Sequence, residues 1–96
     1  MIPDRLQPTV FRLLQESFNN VAKHAEARQV RAALQANGSQ LSLSVQDDGL
    51  GFEPGAQPGS GLGLKQMRQR VAVVGGTLQV FSQPGGGTTI VAQIPL

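Results

Sequence analysis

Three polar side chains interrupt an otherwise amphipathic stretch near the start of this 96-residue chain: Glu16, Asn20 and His24, four residues apart within QESFNNVAKHA. On a helix they fall within roughly 80° of one another, on one shoulder of the apolar row. A carboxylate, a carboxamide and an imidazole at the edge of a core fit two descriptions. One is an ordinary polar flank. The other is the inner wall of a metal–phosphate site, in which the neutral amide oxygen of Asn20 completes the shell of a Mg²⁺ that keeps several waters and sits mainly on substrate phosphates. Lys23, on the same helix, carries the charge to meet a phosphate or is simply solvated.

Two glycine-rich stretches extend this chemistry. VQDDGLGF ends a run of strand character with an acid pair and Gly49-x-Gly51. Acids and glycines are common in tight turns. Equally, Asp47 can serve as a buried acceptor for an amino group such as adenine N6–H₂, with Gly49 and Gly51 letting backbone approach a flat base. GSGLGLKQM places Gly59, Gly61 and Gly63 at alternate positions just before a helix, with Leu62 and Leu64 between and after them. Free N–H groups and the positive end of a helix dipole favour phosphate there. The spacing is neither a Walker A loop, which needs Gly-Lys-Ser/Thr, nor a dinucleotide fingerprint, which follows a strand directly. PGGGTT is first a hairpin turn, and it also brings the Thr88 hydroxyl to the start of a strand, where it can join Asp47 beside a base.

These residues need elements to hold them. Val10, Leu13, Leu14, Phe18, Val21 and Ala25 recur at helical spacing from about Pro8 to Ala25, and Pro8 is tolerable only at such a start. Val30, Ala32 and Leu34, then Leu41, Leu43 and Val45, alternate on either side of Asn37-Gly38, which predicts an antiparallel hairpin. GFEPGAQPGSG reads as a loop. Leu62, Leu64, Met67, Val71 and Val74 predict a second helix stopped by Gly75-Gly76. Leu78 and Val80, then Ile90, Ala92 and Ile94, predict a second pair of strands. The order α-β-β-loop-α-β-β predicts a two-layer α/β sandwich: one mixed or antiparallel sheet of about four strands with both helices on one face.

Composition narrows the classes. The length suits one domain, residues 1–96. The absence of cysteine excludes disulfides and thiolate metal sites. No apolar run is long enough to span a bilayer and the N-terminus lacks a signal-peptide layout, so a cytoplasmic domain without direct membrane contact is expected. A formal charge of +2, with scattered bases and aromatics at 4%, argues against nucleic acid as a partner.

Taken in order, the pieces resemble the ATP-binding domain of sensor histidine kinases, in the GHKL (Bergerat-fold) family shared with gyrase B, MutL and the heat-shock ATPase chaperones. QESFNNVAKHA is similar to that family's N box, DDGLGF to its D-x-G-x-G box, GSGLGL to its G-x-G-L-G-L box and GGGTT to its last glycine-threonine box. The resemblance covers nearly the whole chain. It implies ATP with Mg²⁺ held between the first helix and a lid, about residues 53–58. It implies Asn20 on Mg²⁺, Asp47 on the adenine amino group and Gly49 and Gly51 beside the base. It also implies Gly59, Gly61, Leu62, Gly63 and Leu64 around the phosphates, Lys23 and His24 near phosphate, Thr88 on the adenine side and Glu16 as the candidate catalytic carboxylate. The short lid and GLGLKQMRQRVAVVGG resemble the subgroup of nitrate-sensor-type kinases that partner a helix-turn-helix response regulator.

A phosphate-accepting histidine on a helical dimerisation domain has no room here, so the chain is expected to be part of a larger kinase, one that can be membrane-anchored elsewhere, and to bind ATP without labelling itself. Two other readings stay open. One is an ATPase or serine kinase of the same fold, of the gyrase/MutL or anti-sigma type, using Glu16. The other is a nucleotide-binding regulatory module without transfer activity.

Overall fold

The computed structural model describes residues 2–22, 28–51 and 64–96. A 3₁₀ turn at Asp4–Leu6 leads into α1 (Gln7–Asn20), followed by β1 (Val30–Asn37), β2 (Gln40–Asp47), α2 (Leu64–Val73), β3 (Thr77–Ser82) and β4 (Thr88–Pro95). The order is the one the apolar spacing predicts. Among these strands the sheet runs β1-β2-β4-β3, and each of its pairings is antiparallel.

α1 starts where Pro8 can sit in the first turn without losing an intrahelical bond. It buries Val10, Leu13 and Ser17. Beyond Asn20 the backbone of Val21 and Ala22 continues with a wider, π-type winding. The expected helix end at Ala25 lies outside the described residues. The β1–β2 hairpin forms where Asn37-Gly38 predicts it, shifted by one residue. Asn37 still pairs with Gln40, so Gly38 and Ser39 make the turn, and Gly38 has a φ of +61°.

α2 ends in a full Schellman closure. Gly76 N–H donates to the Val71 carbonyl and Gly75 N–H to the Ala72 carbonyl, both at 2.9 Å, with Gly75 at φ +81°. Gly76 has a second reason to lack a side chain. A Cβ there would lie 2.5 Å from the Gln93 carbonyl oxygen and 2.7 Å from a Val71 methyl. The glycine pair therefore stops the helix and lets β3 start tight against β4.

The core lies between the helices and one face of the sheet. Leu6, Val10 and Leu13 come from the N-terminal segment, Leu64, Met67 and Val71 from α2, Leu41 and Leu43 from β2, and Ile90, Ala92 and Ile94 from β4. β1 departs from expectation. Its residues alternate as a half-buried strand should, yet the whole strand is exposed, with Val30 at 41% and Leu34 at 38%. β1 is the edge of the sheet, whereas α1 packs over β2 and α2 over β3 and β4. The helical layer described stops short of β1.

Candidate functional site

The inward face of the sheet changes character at its last rung. Leu34, Leu43, Ala92 and Leu78 stand opposite one another across the four strands, and the next rung is Ala32, Val45, Ile90 and Val80. The rung after that is Val30, Asp47, Thr88 and Ser82. Residues directly opposite share a face, so three polar side chains from β2, β4 and β3 replace the apolar row where the strands leave the core. Asp47 is 9% exposed and Ser82 is equally buried. A polar group in such a place must be hydrogen-bonded.

Those bonds organise the rung. Gly49 N–H donates to Asp47 Oδ1 at 2.9 Å, which closes a turn immediately after β2. A carboxylate has two oxygens and about four acceptor sites, so this single bond leaves Asp47 capacity for an external donor. Ser82 Oγ lies 2.9 Å from Thr88 Oγ1 and donates to the Gly87 carbonyl at 3.1 Å. It therefore holds both the Thr88 hydroxyl and the turn that precedes β4.

The two turns at this end are packed backbone to backbone. Gly85 N–H donates to the Leu50 carbonyl at 2.6 Å. A Cβ on Gly51 (φ +65°) would collide with the Gln83 carbonyl oxygen and lie 2.7 Å from that of Gly87. A Cβ on Gly87 (φ +75°) would collide with the Asp47 carbonyl oxygen. The glycines of DDGLGF and PGGGTT thus interlock, which gives Gly51 a structural duty beside the expected one of bordering a base. Gly49 is buried in the same turn.

Asp48 faces a different task. Its Oδ1 accepts from Arg28 N–H at 2.9 Å and Gln29 N–H at 3.0 Å, and its own N–H donates to the Gln29 carbonyl at 3.3 Å. These bonds, that to Gln29 foremost, hold its carboxyl below the usual carboxylate range.

On the helical side, Glu16 and Asn20 are half-buried one turn apart, with Asn20 the last residue of α1. Leu64, expected beside phosphates, opens α2 and is buried in the core. Lys23, His24, Gly59, Gly61, Leu62 and Gly63 lie outside the described residues, as does the expected lid at 53–58.

Sequence reasoning passed over Ser82 and Asp48. Ser82 had a signal: it continues the inward row Leu78, Val80 with a hydroxyl. Asp48 had only its place beside Asp47, since no spacing points from it to Arg28 and Gln29.

Comparison with known proteins agrees with this fold. Residues 6–96 match the family model described as histidine kinase-, DNA gyrase B-, and HSP90-like ATPase. The chain is 38% identical over 87 residues to the sensor histidine kinase LiaS of Bacillus subtilis, covering 91% of this chain and 24% of that protein. It is 32% identical over 94 residues to the signal transduction histidine-protein kinase/phosphatase DegS of Brevibacillus brevis, covering 98% of this chain and 24% of the other. The chain thus spans about a quarter of the length of these relatives. Its fold superposes on the blue-light activated histidine kinase of Erythrobacter litoralis EL346 with a TM-score of 0.82 at 27% identity, over 99% of this chain and 32% of that one. The chain belongs to the family of histidine kinase-, DNA gyrase B- and HSP90-like ATPases, as an ATP-binding domain of the histidine-kinase type.

Proposed function

We propose that this chain holds Mg-ATP and presents its γ-phosphate to an acceptor histidine on a separate helical dimerisation domain of the same kinase, from which a response regulator receives the phosphoryl group. The observation that supports the reading best is the polar rung at the end of the sheet. A buried carboxylate with spare acceptor capacity, flanked by a hydroxyl and by turns with little side-chain bulk, suits recognition of a flat base through its amino group. Asp47 accepts from the adenine N6–H₂, and Thr88, held by Ser82, lies on the adenine side.

The donor set also suits Mg²⁺ bound mainly through phosphate. Asn20 offers one neutral oxygen at the end of α1, and such an ion keeps its remaining shell of water and phosphate oxygens. When bound, the ion supplies charge neutralisation for phosphoryl transfer. The protein's part is orientation: the rung suits the base, and the resemblance assigns the phosphates to Asn20, Lys23, His24 and the glycine loop.

The test is transfer of label from γ-labelled ATP. The chain alone should remain unlabelled, and a helical dimerisation domain of a related kinase, with its acceptor histidine, should become labelled when the chain is added. Self-labelling of the isolated chain would overturn this division of roles. Glu16 is half-buried one turn before Asn20, which keeps a hydrolytic reading in view; steady ATP hydrolysis by the chain alone, abolished in Glu16→Ala, would favour it.

A further inference from the structure

We propose that Ser82 sets which purine the site accepts, by orienting the Thr88 hydroxyl. The inference rests on the function proposed above and adds to it a positioning residue that acts through another side chain. Ser82 closes β3 and is buried, whereas Thr88 opens β4 opposite it and is half-buried. Their hydroxyl oxygens lie 2.9 Å apart, and from that distance alone either could be the donor. The second contact of Ser82 settles the direction. Its Oγ lies 3.1 Å from the Gly87 carbonyl oxygen, which can only accept. A serine hydroxyl has one proton. With that proton on the Gly87 carbonyl, Ser82 Oγ meets Thr88 as an acceptor, and the Thr88 proton points at Ser82. The reverse assignment would set two oxygens face to face with no proton between them, in a place with little water to compensate.

The consequence falls on the ligand side of Thr88. Its proton is engaged with Ser82, so the hydroxyl offers a ligand only lone pairs and serves as an acceptor. Asp47 stands directly opposite on β2, on the same face, and its carboxylate also accepts. Directly opposed residues have Cβ atoms about 4.5–5.5 Å apart. An amino group whose two N–H bonds diverge by about 120°, each about 2.9 Å from its acceptor, needs acceptors about 5 Å apart. Asp47 and Thr88 together therefore suit an exocyclic –NH₂, which brings two donors. They oppose a 6-oxo purine, whose oxygen would meet two acceptors. A threonine free to turn its proton outward would serve either base, and Ser82 removes that freedom. Selection of this kind is strong because the wrong base leaves buried polar groups unpaired.

The experiment is an amide NMR titration with Mg-ATP and with Mg-inosine triphosphate, which carries an oxygen in place of the 6-amino group. It compares wild type, Ser82→Ala, Ser82→Thr, Thr88→Val and the double variant Ser82→Ala/Thr88→Val, at a temperature where each is folded. Wild type should favour Mg-ATP. In Ser82→Ala the ratio of the two dissociation constants should shrink about tenfold, because Thr88 can then donate to the 6-oxo group. Ser82→Thr keeps the hydroxyl and should hold the ratio within about twofold of wild type. In the Thr88→Val background, Ser82→Ala should leave the ratio unchanged, since the hydroxyl that Ser82 orients is gone. Equal weakening of both nucleotides in Ser82→Ala would make Ser82 general support for the turn and overturn the inference. So would a ratio in Ser82→Thr as small as in the alanine variant, or the same change with and without the Thr88 hydroxyl. Wild type that binds both nucleotides alike would overturn it as well, with Mg-ATP binding left standing. Wild type that binds neither would overturn the proposed function, and this inference with it.

Discussion

Gly85 and Gly87 sit in one turn with nearly the same backbone, φ +76° and +75°, yet their surroundings differ completely. A Cβ on Gly85 would meet nothing within 4 Å, whereas one on Gly87 would collide with the carbonyl oxygen of Asp47. Alanine at either position pays the left-handed penalty of about 1–2 kcal/mol. The stiffer unfolded chain offsets about 0.4–1 kcal/mol of that. Gly85→Ala should therefore destabilise by roughly 1 kcal/mol, a fall in Tm of about 4–8 °C for a domain this size. Gly87→Ala adds the displacement of a turn against β2, comparable to overpacking a core at about 1–3 kcal/mol. Its Tm should fall by roughly 8–30 °C by the same conversion. Thermal unfolding followed by circular dichroism measures both. Because the displaced atom belongs to Asp47, Gly87→Ala should also weaken Mg-ATP binding while Gly85→Ala leaves it near wild type. Equal Tm values for the two variants would refute the interlocking of the turns.

Other consequences concern the core, the rung and pH. Met67 is fully buried in α2, so Met67→Ala should cost about 2–5 kcal/mol in denaturant unfolding; a loss below about 1 kcal/mol would contradict the packing of α2. Ser82→Ala removes the partner of Thr88 Oγ1 and of the Gly87 carbonyl, and should cost about 1–2 kcal/mol with a drop in adenine-nucleotide affinity, whereas unchanged affinity would separate Ser82 from the site. The Asp48 carboxyl is held below its ordinary value of 3.8 by backbone N–H groups. Its contribution is therefore complete above that value and is lost as pH falls through the lower, folded one. Tm curves of wild type and Asp48→Asn should converge on acidification below about pH 4; a constant gap would show that the charge plays no part.

Helix and strand positions were legible because their apolar periods were long and unambiguous. Met67 and Val71 recur on one side of α2, and Leu41, Leu43 and Val45 alternate along β2. Glycine pairs announced the stops, and Gly75-Gly76 does close α2. The exposure of β1 was not legible, because alternation reports which way side chains point and not whether a helix lies above them. At the site, Asp47 and Thr88 could be named from their sequence neighbourhoods. That they face each other in register could be known only from the β2–β4 pairing. Asp48 was hidden for the same reason: its partners at Arg28 and Gln29 reach it through the fold and leave no spacing to read. Gly51 and Gly87 read as turn residues, while their mutual packing depends on two turns distant in sequence.

The proposed function turns on Asp47 as the reader of the base, and the most direct test is a thermal melt of wild type and Asp47→Asn with Mg-ATP, Mg-ADP and Mg-GTP. A ligand at a hundred times its dissociation constant stabilises by about 2.7 kcal/mol, or roughly 10–20 °C for a domain of this size. A shift of that order is expected with both adenine nucleotides, little with Mg-GTP, and its loss in Asp47→Asn. An Asp47→Asn variant that keeps the full adenine-selective shift would contradict that role of Asp47.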